Sequence, residues 1–119
     1  MLTLDEVRTT LALANRILAH EGVFDAFGHV SVRHPSNPGR YLLARSRSPE
    51  LIEPEDILEF TLDSGPIVPP TGFIYGERVI DGCIYQARSD VLAICHLVVV
   101  MLLIYWSPPF WTAWVWLWN

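Results

Sequence analysis

Charge stops abruptly along this chain. All eight basic and thirteen acidic residues lie between Asp5 and Asp90, whereas all five tryptophans lie between Trp106 and Trp118. A globular fold pairs a packed apolar face with a charged solvent face, so the globular part must be drawn from residues before about 97. A chain of 119 residues is enough for one domain with a modest core. At 51% hydrophobic and 18% charged, it is not a disordered tail. Every basic residue is arginine and the net charge is −5, with no basic cluster to match a phosphate backbone, so no nucleic-acid partner is expected.

Cys83 and Cys95 are twelve positions apart, which fits neither a CxxC motif nor a disulfide framework. They read as small apolar residues in a reducing compartment. Met1 to Arg8 carries acids and lacks an apolar core of the signal-peptide kind, so a cytoplasmic location is expected. Residues 97–119 hold no charge and are long enough to span a bilayer, but Ser107-Pro108-Pro109 interrupts them and no basic residue follows Arg88 to set an orientation. A membrane is therefore not the expected partner, although the tail is apolar.

Within the charged segment, Thr3 and Glu6 form a capping box that predicts a helix from about Leu4. Val7, Leu11, Ala14 and Leu18 supply its apolar stripe and Gly22 its stop. Val30 and Val32 alternate with His29, Ser31 and Arg33, which predicts a strand with valines on one face and polar side chains on the other. The turn residues His34 to Gly39 lead to a partner strand over 41–44. A short helical start is expected at Pro54-Glu55-Asp56, a strand around 59–62, and a surface loop over the proline-rich 66–72. Gly76 opens a second helix with Val79, Ile80, Cys83, Ile84 and Ala87 as its apolar positions. The run Val91 to Cys95 then predicts a buried strand. Helix, hairpin, strand, helix and strand in that order make an α/β pattern.

Four places in this pattern can carry chemistry. Glu77 is either an ordinary first-turn acid or a carboxylate favoured by the helix dipole for use in a site. His96, closing an apolar strand, is either a satisfied core histidine or a metal ligand. The strand face of His29, Ser31 and Arg33 is either solvated or built for an anion, and the same two readings apply to the loop Arg45-Ser46-Arg47-Ser48.

These segments together resemble a known family. Gly28-His29-Val30-Ser31-Val32-Arg33, Ala44-Arg45-Ser46-Arg47-Ser48-Pro49-Glu50, Tyr75-Gly76-Glu77-Arg78-Val79-Ile80 and Ala87-Arg88-Ser89-Asp90-Val91 leading to Cys95-His96 are similar, in order and spacing, to the class II aldolase/adducin N-terminal domain. The nearest likeness is to its decarboxylase-like branch, over roughly residues 4 to 96. The resemblance implies a three-layer αβα domain. It also implies a divalent metal, usually zinc, on three histidines, two from an H-x-H strand and one further along. Glu77 matches the family's general acid/base and His96 its first metal ligand. Gly28, His29, Ser31, Arg33 and Ser46 match the positions that cradle the phosphate or carboxylate of a small hydroxy-acid or sugar-derived substrate. Such enzymes are carbon–carbon lyases, typically homotetrameric, in which the metal stabilises an enediolate.

The sequence also departs from that pattern. Val98 stands where the second histidine of H-x-H belongs, Asp81 replaces a histidine common in the helix, and no histidine follows His96. A catalytic zinc needs three protein ligands and an open position, so the family's site is incomplete in this chain. Composition changes where the resemblance fades. This suggests an incomplete domain over 1–96 followed by a Trp-rich tail over 97–119, as truncation or a disrupted reading frame would produce. The alternatives are a non-catalytic, adducin-like binding module and a protein anchored in a membrane by its tail.

Overall fold

The computed structural model describes residues 1–24 and 27–97. Helix α1 (Leu4–His20) begins as its capping box requires: the Thr3 side chain accepts from the Glu6 backbone N–H, and the Glu6 carboxylate accepts from the Thr3 backbone. It ends at Gly22, whose φ of 70° is the left-handed conformation that glycine adopts without penalty. Strands β1 (His29–Arg33), β2 (Arg40–Ala44), β3 (Ile57–Thr61) and β4 (Ala93–His96) form one sheet in the order β3-β2-β1-β4. Two single-turn helices, Pro49–Leu51 and Pro54–Asp56, connect β2 to β3, each with proline at its start. Helix α2 (Arg78–Ala87) lies between β3 and β4, the two outer strands of the described sheet.

Every pairing is antiparallel. The sheet separates two cores. On one side Leu11 and Ala12 of α1 pack with Leu42, Ala44, Ile52 and Ile57, and Val30 and Val32 lie against the same cluster. On the other side Tyr85 of α2 packs with Tyr41, Leu43, Phe60 and Tyr75. The β1 alternation thus has the expected consequence for its valines. Helix α1 is turned slightly from the expected stripe: its buried residues are Leu11, Ala12 and Asn15, with Asn15 accepting from the Val30 backbone N–H at 3.2 Å.

Two expectations need correction, and one open alternative is decided. Helix α2 begins at Arg78, with Gly76 outside it, and its inward residues are Asp81, Gly82 and Tyr85. Val79, Ile80 and Cys83 face outward and are exposed. At 100° per residue the apolar stripe and the buried stripe fall on opposite sides of this helix. Strand β4 is an outer strand of the described sheet, with Ala93 and Cys95 exposed, and is not a buried one. Finally, the polar face of β1 is not solvated, because α2 lies across it: His29 and Ser31 are fully buried. Among the described residues no helix is long and apolar enough to cross a membrane, and the uncharged tail lies outside them apart from Leu97.

Candidate functional site

The polar face of β1 is largely spent on holding α2. Ser31 Oγ shares a 3.0 Å hydrogen bond with the Tyr85 hydroxyl. Burial drives the Tyr85 phenol up to about 12, despite the bond with Ser31, so it is a neutral packing group. The Arg33 guanidinium lies over the Tyr85 ring and donates to the carbonyls of Pro38, Tyr85, Arg88 and Val91 at 2.7 to 3.0 Å. Arg33 and Ser31 therefore fasten the α2–β4 connection to β1, and neither lines the cavity beside the Ser46 loop.

That cavity, about 550 Å³, opens at the N-terminal end of α2. Ser46, Arg47 and Ser48 form one wall and Tyr75, Gly76 and Glu77 the other, with Phe27 and Ile74 completing it. Local folding explains why these two segments meet. The Ser46 backbone N–H donates to the Phe73 carbonyl at 2.8 Å, and the Tyr75 hydroxyl donates to the Arg47 carbonyl at 2.7 Å. Asp56 then fixes the arginines: Arg45 Nε and Arg47 Nη1 donate to its two carboxylate oxygens, and the Glu53 N–H adds a third donor. Burial alone would raise the Asp56 carboxyl. Those three donors outweigh it and hold the group below its usual value.

Glu77 occupies the N-cap position of α2, with helical backbone angles and no side-chain capping bond. Its carboxylate is therefore not committed to closing the helix. Gly28 is required by close approach, since a Cβ there would lie 2.5 Å from the Phe24 ring. Among the sequence-predicted residues, then, Ser46 and Glu77 share the cavity, while Ser31 and Arg33 lie under α2.

His29 and His96 form a second grouping. They are paired across the β1–β4 ladder, with ring centroids 4.8 Å apart. His29 also stacks on Tyr75, with ring centroids 5.0 Å apart, and its Nε2 lies 3.2 Å from Asp81 Oδ2. His29, Asp81 and His96 place one potential ligand atom each within 4.8 Å of one another. Sequence reasoning passed over Asp81 as a ligand and Tyr75 as a wall. A signal for Asp81 was present, since Glu77, Asp81 and Tyr85 recur every four residues and so share a helix face.

Residues 9–105 match the family described as the Class II Aldolase and Adducin N-terminal domain. The chain belongs to this family. It is 37% identical over 82 residues to the decarboxylase tropJ of Talaromyces stipitatus, covering 67% of this chain and 31% of that protein, which places it with the decarboxylase-like branch. The L-fuculose 1-phosphate aldolase from Glaciozyma antarctica PI12 superposes with a TM-score of 0.70 at 26% identity, over 82% of this chain and 43% of that one. An aldolase II superfamily protein from Pseudomonas syringae gives 0.71 at 29% identity, over 81% and 40%. This class II aldolase/adducin chain thus spans well under half the length of each of these relatives. The three-histidine zinc set implied by the family resemblance does not fit it. His96 is present, but position 98, where the second histidine of H-x-H belongs, is valine.

Proposed function

We propose that this chain carries the anion-binding and proton-transfer part of a carbon–carbon lyase. The reaction would be aldol cleavage or decarboxylation of a small hydroxy-acid or sugar-derived substrate. The observation that carries this reading is the single cavity walled by both the Ser46 loop and Glu77. The names of the decarboxylase and aldolase relatives support it. In this reading Ser46, Arg47 and Ser48 offer donors to a carboxylate or phosphate, as charge-assisted recognition of planar anions requires. Asp56 positions Arg47, Tyr75 closes the inner wall, and Glu77 exchanges a proton with the reacting carbon or oxygen. Family lyases of this kind use a divalent metal, zinc foremost. Because position 98 is valine, the H-x-H pair is incomplete, and these 119 residues are expected to fall short of the turnover of an intact site. We assign the two-faced sheet to part of a three-layer αβα domain that works in a homotetramer.

Glycolate and inorganic phosphate provide the test. Titrated into isotope-labelled chain, each is expected to shift the backbone signals of Ser46, Arg47, Gly76 and Glu77, and Ser46→Ala is expected to weaken binding severalfold. Shifts confined to other regions, no shifts, or binding unaltered in Ser46→Ala would refute the reading.

A further inference from the structure

We infer that His29, Asp81 and His96 form a metal site of their own, taking one divalent transition ion, zinc foremost. This proposal does not rest on the lyase reading, and it differs from the family's H-x-H set. It shares His96 but draws its other ligands from β1 and from the middle of α2.

Three observations carry it. First, the donor set is two imidazoles and one carboxylate, a combination suited to zinc, with three protein ligands leaving a fourth position open. Second, the spacing fits. Ligand atoms about 2.0 to 2.1 Å from a tetrahedral ion sit roughly 3.3 Å from one another, and His29 Nε2 and Asp81 Oδ2 are 3.2 Å apart. All three ligand atoms already lie within 4.8 Å, and His96, half-buried on the outer strand β4, is the member that must close the remaining gap. Third, the pocket holds unmet polar capacity. His29 and Asp81 are fully buried, yet His29 Nδ1 and Asp81 Oδ1 have no hydrogen-bond partner among the described residues. Buried polar atoms without partners are costly, and the contact between His29 Nε2 and Asp81 Oδ2 leaves each residue with one such atom. The departure at position 81 then acquires a meaning. An aspartate facing a histidine at position 29 supplies the anionic ligand that a divalent ion needs there, in a chain whose position 98 cannot contribute.

Zinc binding to the metal-stripped full chain decides the matter, measured by calorimetry and by elemental analysis after gel filtration. The wild type is expected to take up about one ion per chain. Asp81→Asn, nearly isosteric, and His29→Gln are each expected to weaken binding at least tenfold. Glu77→Gln and Cys95→Ser are expected to leave it unchanged. Circular dichroism of the metal-free variants reports whether the fold survives. Cobalt(II) added to the wild type gives a reading independent of any variant: visible absorption bands without the near-ultraviolet thiolate band. Absence of stoichiometric uptake by the wild type overturns the proposal. So does uptake indifferent to both Asp81→Asn and His29→Gln, uptake lost in Glu77→Gln, or a thiolate-type cobalt spectrum.

Discussion

Arg33 shows how a residue type can suggest one role while its surroundings assign another. In sequence it sits on a polar strand face beside His29 and Ser31, where a guanidinium suits an anion. In the fold its donors are taken by four backbone carbonyls, and its flat face lies against Tyr85. These carbonyls belong to the last turn of α2, to the segment after it and to the β1–β2 turn, so Arg33 acts as a clamp between elements far apart in sequence. Arg33→Ala is expected to cost about 2–3 kcal/mol in urea-induced unfolding, the range for losing several hydrogen bonds to a charged donor. It is expected to leave glycolate binding by the surviving folded fraction unaltered. If binding were lost while unfolding stayed at the wild-type midpoint, Arg33 would belong to the anion site after all. The contrast with Ser46 is instructive, because Ser46 lies on a loop whose backbone is fixed and whose side chain lines open space. Both residues were legible as donor-rich positions. Only the packing of α2 separates the clamp from the binding residue.

At the scale of elements, local chemistry was readable wherever it is self-contained. The Thr3–Glu6 capping box, the glycine stop of α1 and the valine alternation of β1 all have their cause within a few residues, and each is seen in the structure. Helix α2 was misread because its cause is not local. Its apolar residues Val79, Ile80 and Cys83 form a stripe that periodicity takes for the core face, yet the sheet receives Asp81, Gly82 and Tyr85. What decides the orientation is a close approach. A Cβ at position 82 would lie 2.6 Å from the Leu62 carbonyl oxygen and closer still to Ser64 Oγ, so only glycine lets the helix sit on the turn after β3. Ser64, with φ of 65°, bonds there to the Tyr41 hydroxyl and the Arg78 carbonyl, which locks the same contact from the other side. Gly82→Ala tests this reading because the two contributions have opposite signs. Alanine gains about 1 kcal/mol of helix propensity, whereas a clash with backbone costs about 1–3 kcal/mol and more where nothing can move aside. The clash is expected to win, lowering unfolding stability by roughly 1–2 kcal/mol. A variant as stable as the wild type or more so would mean that α2 is not held at Gly82.

For the molecule as a whole, the two misread elements share one physical basis. The outward stripe of α2 and the exposed side of β4 are apolar in sequence because apolar surfaces are normally covered, but no described residue covers them here. Val79 and Ile80 are each about half exposed, and Leu92 at the approach to β4 is 69% exposed. Strand β4 also ends the described sheet, so one row of its backbone groups has no ladder partner among the described residues. The relatives extend well beyond the matched region, since the chain accounts for 31% of the decarboxylase and about two-fifths of the solved structures. Contiguous apolar surface next to an open strand favours association over a free monomer. The 119-residue chain is therefore expected to bind a hydrophobic dye and to sediment with a mass that rises with concentration. Val79→Glu addresses the helix face by itself. Position 79 is exposed in the first turn of α2, where an added carboxylate complements the helix dipole, so folding should not suffer while the apolar stripe is interrupted. Dye binding and association should both fall in this variant with the unfolding midpoint unchanged. A wild-type chain that stays monomeric and dye-free at every concentration would show that the stripe and the β4 edge are already covered within the chain.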